Sequence, residues 1–284
     1  MSAEPVRAWK SQPRFMAING RRLFALQIVP TGPCIGAVLY LPSFAEEMNR
    51  CRSHVTSQAH ALAAIGYQCL LLDPYGTGES DGEIIDGDWD TWLADSSAAA
   101  QWLVQQTGQA LTLWGVRTGA LLAAELAASP AVAAAGLLLW QPVLDGKVFL
   151  NQYLRLRIAS QMVNDAARET TDIIRARLSA GDIVEVAGYP LTGRMADSLA
   201  ARRLEDFPAI ASKRIAWAEI VAKPGQPMAM PSRKLIDKLQ ASGAQVISQA
   251  VACPMMWQVH ERVEAPALLQ ATLGLMSAQQ GEQR

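Results

Sequence analysis

Histidine and cysteine are scarce in this sequence: three and four residues respectively in 284. The cysteines, Cys34, Cys51, Cys69 and Cys253, show no C-x-x-C spacing, which argues against a metal site and against a disulfide framework. Free thiols in a reducing compartment are the expectation. An excess of either charge is also lacking. The formal net charge is -1, so no global field draws the chain to nucleic acid or an acidic membrane. No uncharged stretch reaches the roughly 20 residues that a membrane span needs. The nearest, ALLAAELAASPAVAAAGLLLW, is split by Glu125 and Pro130. MSAEPVRAWKSQPRF has no apolar run after its basic residues, so a secretory signal is not expected. These absences predict a cytoplasmic protein with no membrane span, no nucleic-acid partner, no metal and no cofactor.

What is present suits a globular α/β chain: 50% hydrophobic and 18% charged residues. RFMAING and RLFALQIV alternate around Asn19-Gly20, which predicts a hairpin. IGAVLYLP, QCLLLD, ALTLWG and AAAGLLLWQPV are short continuous apolar runs. Helical patterns at HVTSQAHALAAIGY, WDTWLADSSAAAQWLVQQ and TGALLAAELAA separate them. Such alternation predicts a mostly parallel central sheet with helices on both faces. From 146 to 212 the rhythm breaks into Arg- and Ala-rich helices around DIVEVAGYPL, the mark of a helical cap inserted into one domain spanning 1–284. There, FLNQYLRLRIASQMV mixes Phe149, Tyr153, Leu154 and Met162 with Arg155 and Arg157, a face able to cover an apolar pocket or simply to pack on the core. The rhythm resumes with RIAWAEIV, SRKLIDKLQASG, AQVISQAV and EAPALLQATLGLM.

LTLWGVRTGALLAA has the frame of a nucleophile elbow, the G-x-S-x-G turn that lifts a serine above an α/β-hydrolase sheet. Gly115 and Gly119 hold the glycine positions, but the central residue is Arg117. A guanidinium stays protonated at any working pH and carries no nucleophilic lone pair, so acyl transfer through this position is excluded. The other triad places look vacant. The acid belongs after RIAWAEIV, where AKPGQPMAMPS holds no carboxylate, and His260 comes late for a base. Asp145, after the preceding strand, is an alternative acid, yet Asp145 and His260 together would still lack a nucleophile. Ser43 and Thr118 are the hydroxyls near the elbow, without an evident base.

A cation at the start of the helix TGALLAAELAA opposes the helix dipole, at a cost of about 0.3–1 kcal/mol. An anion must therefore lie near Arg117. One candidate is an internal carboxylate, Glu46, Glu47 or Asp145. The other is an anionic small-molecule ligand held by Arg117 with the backbone amides of Thr118 and Phe44, beside Ser43. The glycines of DPYGTGESDG do not make a phosphate loop, since no Gly-Lys-Ser/Thr follows; Asp73 and Ser80 are expected to brace the turn.

YLPSFAEEMNRCR, DPYGTGESDG, LWGVRTGALLAA, LLLWQPVLDGKVFLNQYLRLR, VEVAGYPL and WQVHERVEAPALL together resemble the exosortase A system-associated hydrolase 2 family, over nearly the whole chain. The resemblance implies an α/β-hydrolase fold, a bacterial exopolysaccharide and PEP-CTERM sorting context with partner proteins from that system, and arginine at the elbow as a family trait. It implies nominal action on acyl or ester-like substrates; the alternative is an inactive accessory protein, a pseudoenzyme whose degenerate triad site binds an anion or a partner. Two stretches depart from the family's pattern: Pro42-Ser43 stands where His-Pro is usual, and Met256-Trp257-Gln258-Val259 where Phe-Trp-Gln-Thr is usual.

Overall fold

A computed structural model describes residues 8–163, 169–259, 261 and 263–281. Asn19 and Gly20 take the positive φ angles of a tight turn, 49° and 76°, so β1 (Trp9–Ile18) folds back on β2 (Arg21–Pro30) in antiparallel register from Ile18 opposite Arg21. β3 (Gly36–Leu41) follows, buried at every residue. α1 (Glu46–Ala64) begins after a sharp turn at Ala45, whose φ is 52°. It starts earlier than the apolar stripe suggests. Its first turns, EEMNRCRS, turn Met48 and Cys51 inward while their charged residues face elsewhere.

β4 (Tyr67–Leu72) leads into the glycine-rich turn, where Ser80 Oγ donates to Asp73 O (2.6 Å) and the Glu79 N–H donates to Asp73 Oδ2 (3.1 Å). α2 (Trp89–Thr107) is capped by Asp88, which accepts from the Thr91 N–H at 2.7 Å, and stops at left-handed Gly108. β5 (Leu111–Val116), α3 (Gly119–Ala128) and β6 (Ala134–Trp140) come next. Between β6 and the next sheet strand lie α4 (Gly146–Val163), α5 (Thr171–Ser179), the small hairpin β7 (Val184–Val186) and β8 (Tyr189–Leu191), and α6 (Gly193–Ala200). This segment is tied together by Tyr153, whose hydroxyl donates to Val186 O (3.0 Å), and by Glu169, which bridges Arg157 and Arg177. β9 (Arg214–Val221), α7 (Met230–Ala241), β10 (Gln245–Ala252) and α8 (Pro266–Gly281) complete the chain.

The sheet order is β1-β2-β4-β3-β5-β6-β9-β10. From β4 to β10 in that order every neighbouring pair is parallel; β1 and β2 form the antiparallel edge. α2 and α3 bury their apolar residues against one face, α1 and α8 against the other, over Trp114 and Trp140. In such a sheet the crevice beyond the carboxyl ends of the strands is where ligands bind. The turns after β3, β5 and β6 all open there. Among the described residues no helix is long and apolar enough to cross a membrane.

Candidate functional site

The tip between β5 and α3 is built by close backbone approach. A Cβ on Gly115 would lie 2.5 Å from Ala120 Cα, and one on Gly119 would lie 2.1 Å from Leu41 O. Both glycines are required by space, because helix, strand and the turn after β3 press together there. Arg117 takes φ 55°, a left-handed conformation that strains a residue with a Cβ by about 1–3 kcal/mol. Neighbours hold it: its N–H donates to Trp140 O (3.0 Å), and its carbonyl accepts from Val143 N (3.1 Å) and Ala120 N (3.1 Å). The strained tip of an elbow is thus present, with arginine on it.

Its side chain is 14% exposed and meets Glu47, 12% exposed, from the first turn of α1. Nε donates to Oε2 (3.1 Å) and Nη2 to Oε1 (3.1 Å), the fork-on-fork arrangement that suits a guanidinium and a carboxylate. The guanidinium carbon stands 4.8 Å from the Trp257 ring centre and 6.0 Å from that of Phe149. Nη1 has no acceptor among the described residues. Of the three carboxylates considered for Arg117, Glu47 is the partner. Glu46 pairs instead with Arg50 at 3.0 Å, and Arg50 also donates to Trp257 O at 3.1 Å. Burial pushes the Glu47 carboxyl above its ordinary value, and the facing Arg117 only partly offsets this.

These groups line a cavity of about 310 Å³. Glu46, Glu47, Arg50 and Arg117 supply its charges, Phe149, Tyr153 and Trp257 its aromatic wall. Phe44 packs edge-on against Tyr153 (5.5 Å between ring centres), which brings α4 over the turn after β3. The backbone N–H groups of Phe44 and Thr118 have no acceptor among the described residues.

Among the described residues, no side chains for attack are assembled around them. Ser43 and Thr118 are 1% and 2% exposed. His54 Nε2 is engaged with Val263 O (2.7 Å), His60 stacks on Trp9, and His260 lies outside the described residues, as does the Met162 side chain. Burial and the Glu47 carboxylate push the Cys51 thiol up to about 12, which leaves it a packing group. Asp145 lines a different cavity, of about 270 Å³, beside Leu144, Glu205 and Lys234. It accepts from the Val148 N–H (3.0 Å) and pairs with Arg203 (3.1 Å). Burial raises its pKa, but these donors outweigh it and hold the carboxyl below its ordinary value. The loop after β9 carries no carboxylate; Glu219, within the strand itself, is buried and held by Trp217 Nε1 (3.1 Å) and the Ala229 N–H (3.0 Å). Among the described residues no group of three or more His, Cys, Asp or Glu is placed to hold a metal.

The residue that sequence reasoning missed is Trp257 as part of one cavity with Arg117; Phe149 and Tyr153, which the sequence offers as a face able to cover a pocket, line the same cavity. Trp257 stood out only as one of two unchanged residues, with Gln258, in a stretch whose flanking positions depart from the resembled family's pattern.

Residues 33–182, just over half of the chain, match the serine aminopeptidase S33 family. No curated protein matches. Among solved structures, Est1E from Butyrivibrio proteoclasticus with ferulic acid bound superposes with TM-score 0.67 at 16% identity, over 94% of this chain and 99% of that one. A hypothetical protein from Pseudomonas aeruginosa gives 0.61 at 14%, over 95% and 94%. Carboxyl esterase 2 from the mycorrhizal fungus Tuber melanosporum gives 0.60 at 14%, over 97% and 87%. At these identities the likeness shows the fold, which is that of the α/β hydrolases.

Proposed function

The chain belongs to the serine aminopeptidase S33 family of α/β hydrolases, and on that premise we propose that its elbow cavity binds a small carboxylate-bearing ligand and does not attack carbonyl carbon. The observation that carries this is Arg117 at the strained tip, forked onto Glu47. Nothing at that tip can form an acyl intermediate. What the site retains is suited to holding charge: a guanidinium on the cavity wall with one amino group free among the described residues. Phe149, Tyr153 and Trp257 would enclose the apolar part of the ligand. The segment 146–212 acts in this reading as the cap of a single domain. The motif resemblance supports a place in the exosortase A system, as an accessory protein of exopolysaccharide and PEP-CTERM sorting metabolism in the cytoplasm, where a partner protein could read the occupied cavity. Asp145, in a different cavity, takes no part.

Hydrolysis of acyl or ester-like compounds is the second reading. The Phe44 and Thr118 amides, with no acceptor among the described residues, favour it, since an oxyanion hole serves that reaction. It has donors for the intermediate and no group to make one.

The test is thermal unfolding with millimolar formate, acetate and nitrate. The binding reading expects stabilisation in the wild type that disappears in Arg117→Ala. Equal stabilisation of both proteins would overturn it.

A further inference from the structure

Among the described residues, the charges of the cavity balance before any ligand arrives: Glu46 and Glu47 against Arg50 and Arg117. Each acid already holds one arginine, at 3.0 Å and 3.1 Å. Arg50 is not a spare cation, because Glu46 and the Trp257 carbonyl occupy it. An anion seated on Arg117 therefore brings a negative charge with no partner into a space where Glu47 is almost fully shielded from water. Two carboxylates that share one cation cannot both stay ionised at low cost, and one of them takes a proton.

We propose, resting on the binding reading above, that an anion and one proton enter this cavity together, the proton going to the carboxylate of Glu47 as the ligand replaces it on Arg117. No covalent bond changes. The proton comes from solvent, and the net charge of the cavity is the same before and after. Among the described residues, the groups that face Glu47 pull in two directions: burial and Glu46 favour the neutral acid, and Arg117 and Arg50 favour the carboxylate. From the elbow comes Arg117, whose pull the ligand weakens. From its own helix come Glu46, which disfavours the ionised form, and Arg50, already paired; Cys51 is a neutral thiol. From α4 comes Tyr153, whose phenol burial keeps neutral. Glu47 is also the group that burial has already raised, so it is poised to accept. The ligand class is then narrower than any anion. It must be a small oxyanion or carboxylate able to take a fork on one guanidinium edge while a neutral carboxyl group stands beside it.

The experiment is calorimetric titration of the full chain with formate and with nitrate, which takes no proton itself, in buffers of different ionisation enthalpy. The expected result is uptake of about one proton per anion near neutral pH, and affinity falling about tenfold per pH unit over the alkaline range, the slope for one linked proton. Glu47→Gln should bind both anions without proton uptake and with a flat pH profile. Binding that Arg117→Ala abolishes but that shows no proton uptake in the wild type would overturn the coupling and leave the site standing. Uptake that persists in Glu47→Gln would overturn the assignment to Glu47. No binding by wild type or Glu47→Gln would remove the site itself, and the coupling with it.

Discussion

Glu47 and Asp145 both follow strands at the carboxyl edge of the sheet, and each faces an arginine, yet their surroundings move them in opposite directions. Glu47 and Arg117 are 12% and 14% exposed, in a walled cavity; Asp145 and Arg203 are 24% and 54% exposed, beside a helix start. Burial wins for Glu47 and raises its pKa against the pull of Arg117. For Asp145 the weaker burial is overcome by the Val148 N–H and Arg203, and the pKa falls. An ion pair is thus not one kind of object. Walled off from water, it becomes a site whose charge state a ligand can reset; left at the rim, it becomes a helix cap.

The comparison breaks most visibly if one partner is removed. Glu47→Ala strands the Arg117 guanidinium at a helix N-terminus in a shielded cavity, and urea unfolding should show a loss of about 3–5 kcal/mol. A loss under about 1 kcal/mol would mean that the pair behaves like the exposed one. Glu47→Leu combined with Arg117→Met should recover most of that loss, since apolar groups of similar size replace a shielded pair at little cost. Asp145→Ala, by contrast, should cost about 1 kcal/mol, the value of a helix N-cap.

The smallest effect, and the sharpest in sign, is with pH. Glu47 has a raised folded pKa, so its contribution to stability is full below the ordinary glutamate value of about 4.3 and is lost as pH rises through the folded value. Asp145 has a lowered folded pKa, so its contribution is present above the ordinary aspartate value of about 3.9 and is lost as pH falls through the folded value. Stability profiles of Glu47→Gln and Asp145→Asn, each subtracted from the wild type, should therefore slope in opposite directions. Parallel slopes would mean that both pairs sense the same environment.

Much of the frame was legible in the sequence because it rests on local rules. Asn19-Gly20 dictates a hairpin, continuous apolar runs dictate buried parallel strands, and glycines at 115 and 119 dictate a tight elbow. The start of α1 was not legible. EEMNRCRS looks like a polar loop because its charged face lines a cavity that exists only after folding, and nothing marks Ala45 for a positive φ. The partner of Arg117 was legible as a requirement, an anion near a cation at a helix start, but not as a choice among Glu46, Glu47 and Asp145. That choice is set by where α1 begins and by which carboxylates Arg50 and Arg203 already hold. Trp257 lies 140 positions from Arg117, and only the folded sheet brings its ring over the guanidinium.

Whether the tip of this elbow can attack at all is decided by mass spectrometry of the intact chain after exposure to a fluorophosphonate. An arginine tip with Ser43 and Thr118 shut away from solvent and base should leave the mass unchanged. A stoichiometric adduct, mapped to Ser43 or Thr118 and lost on its replacement by alanine, would contradict a non-nucleophilic site.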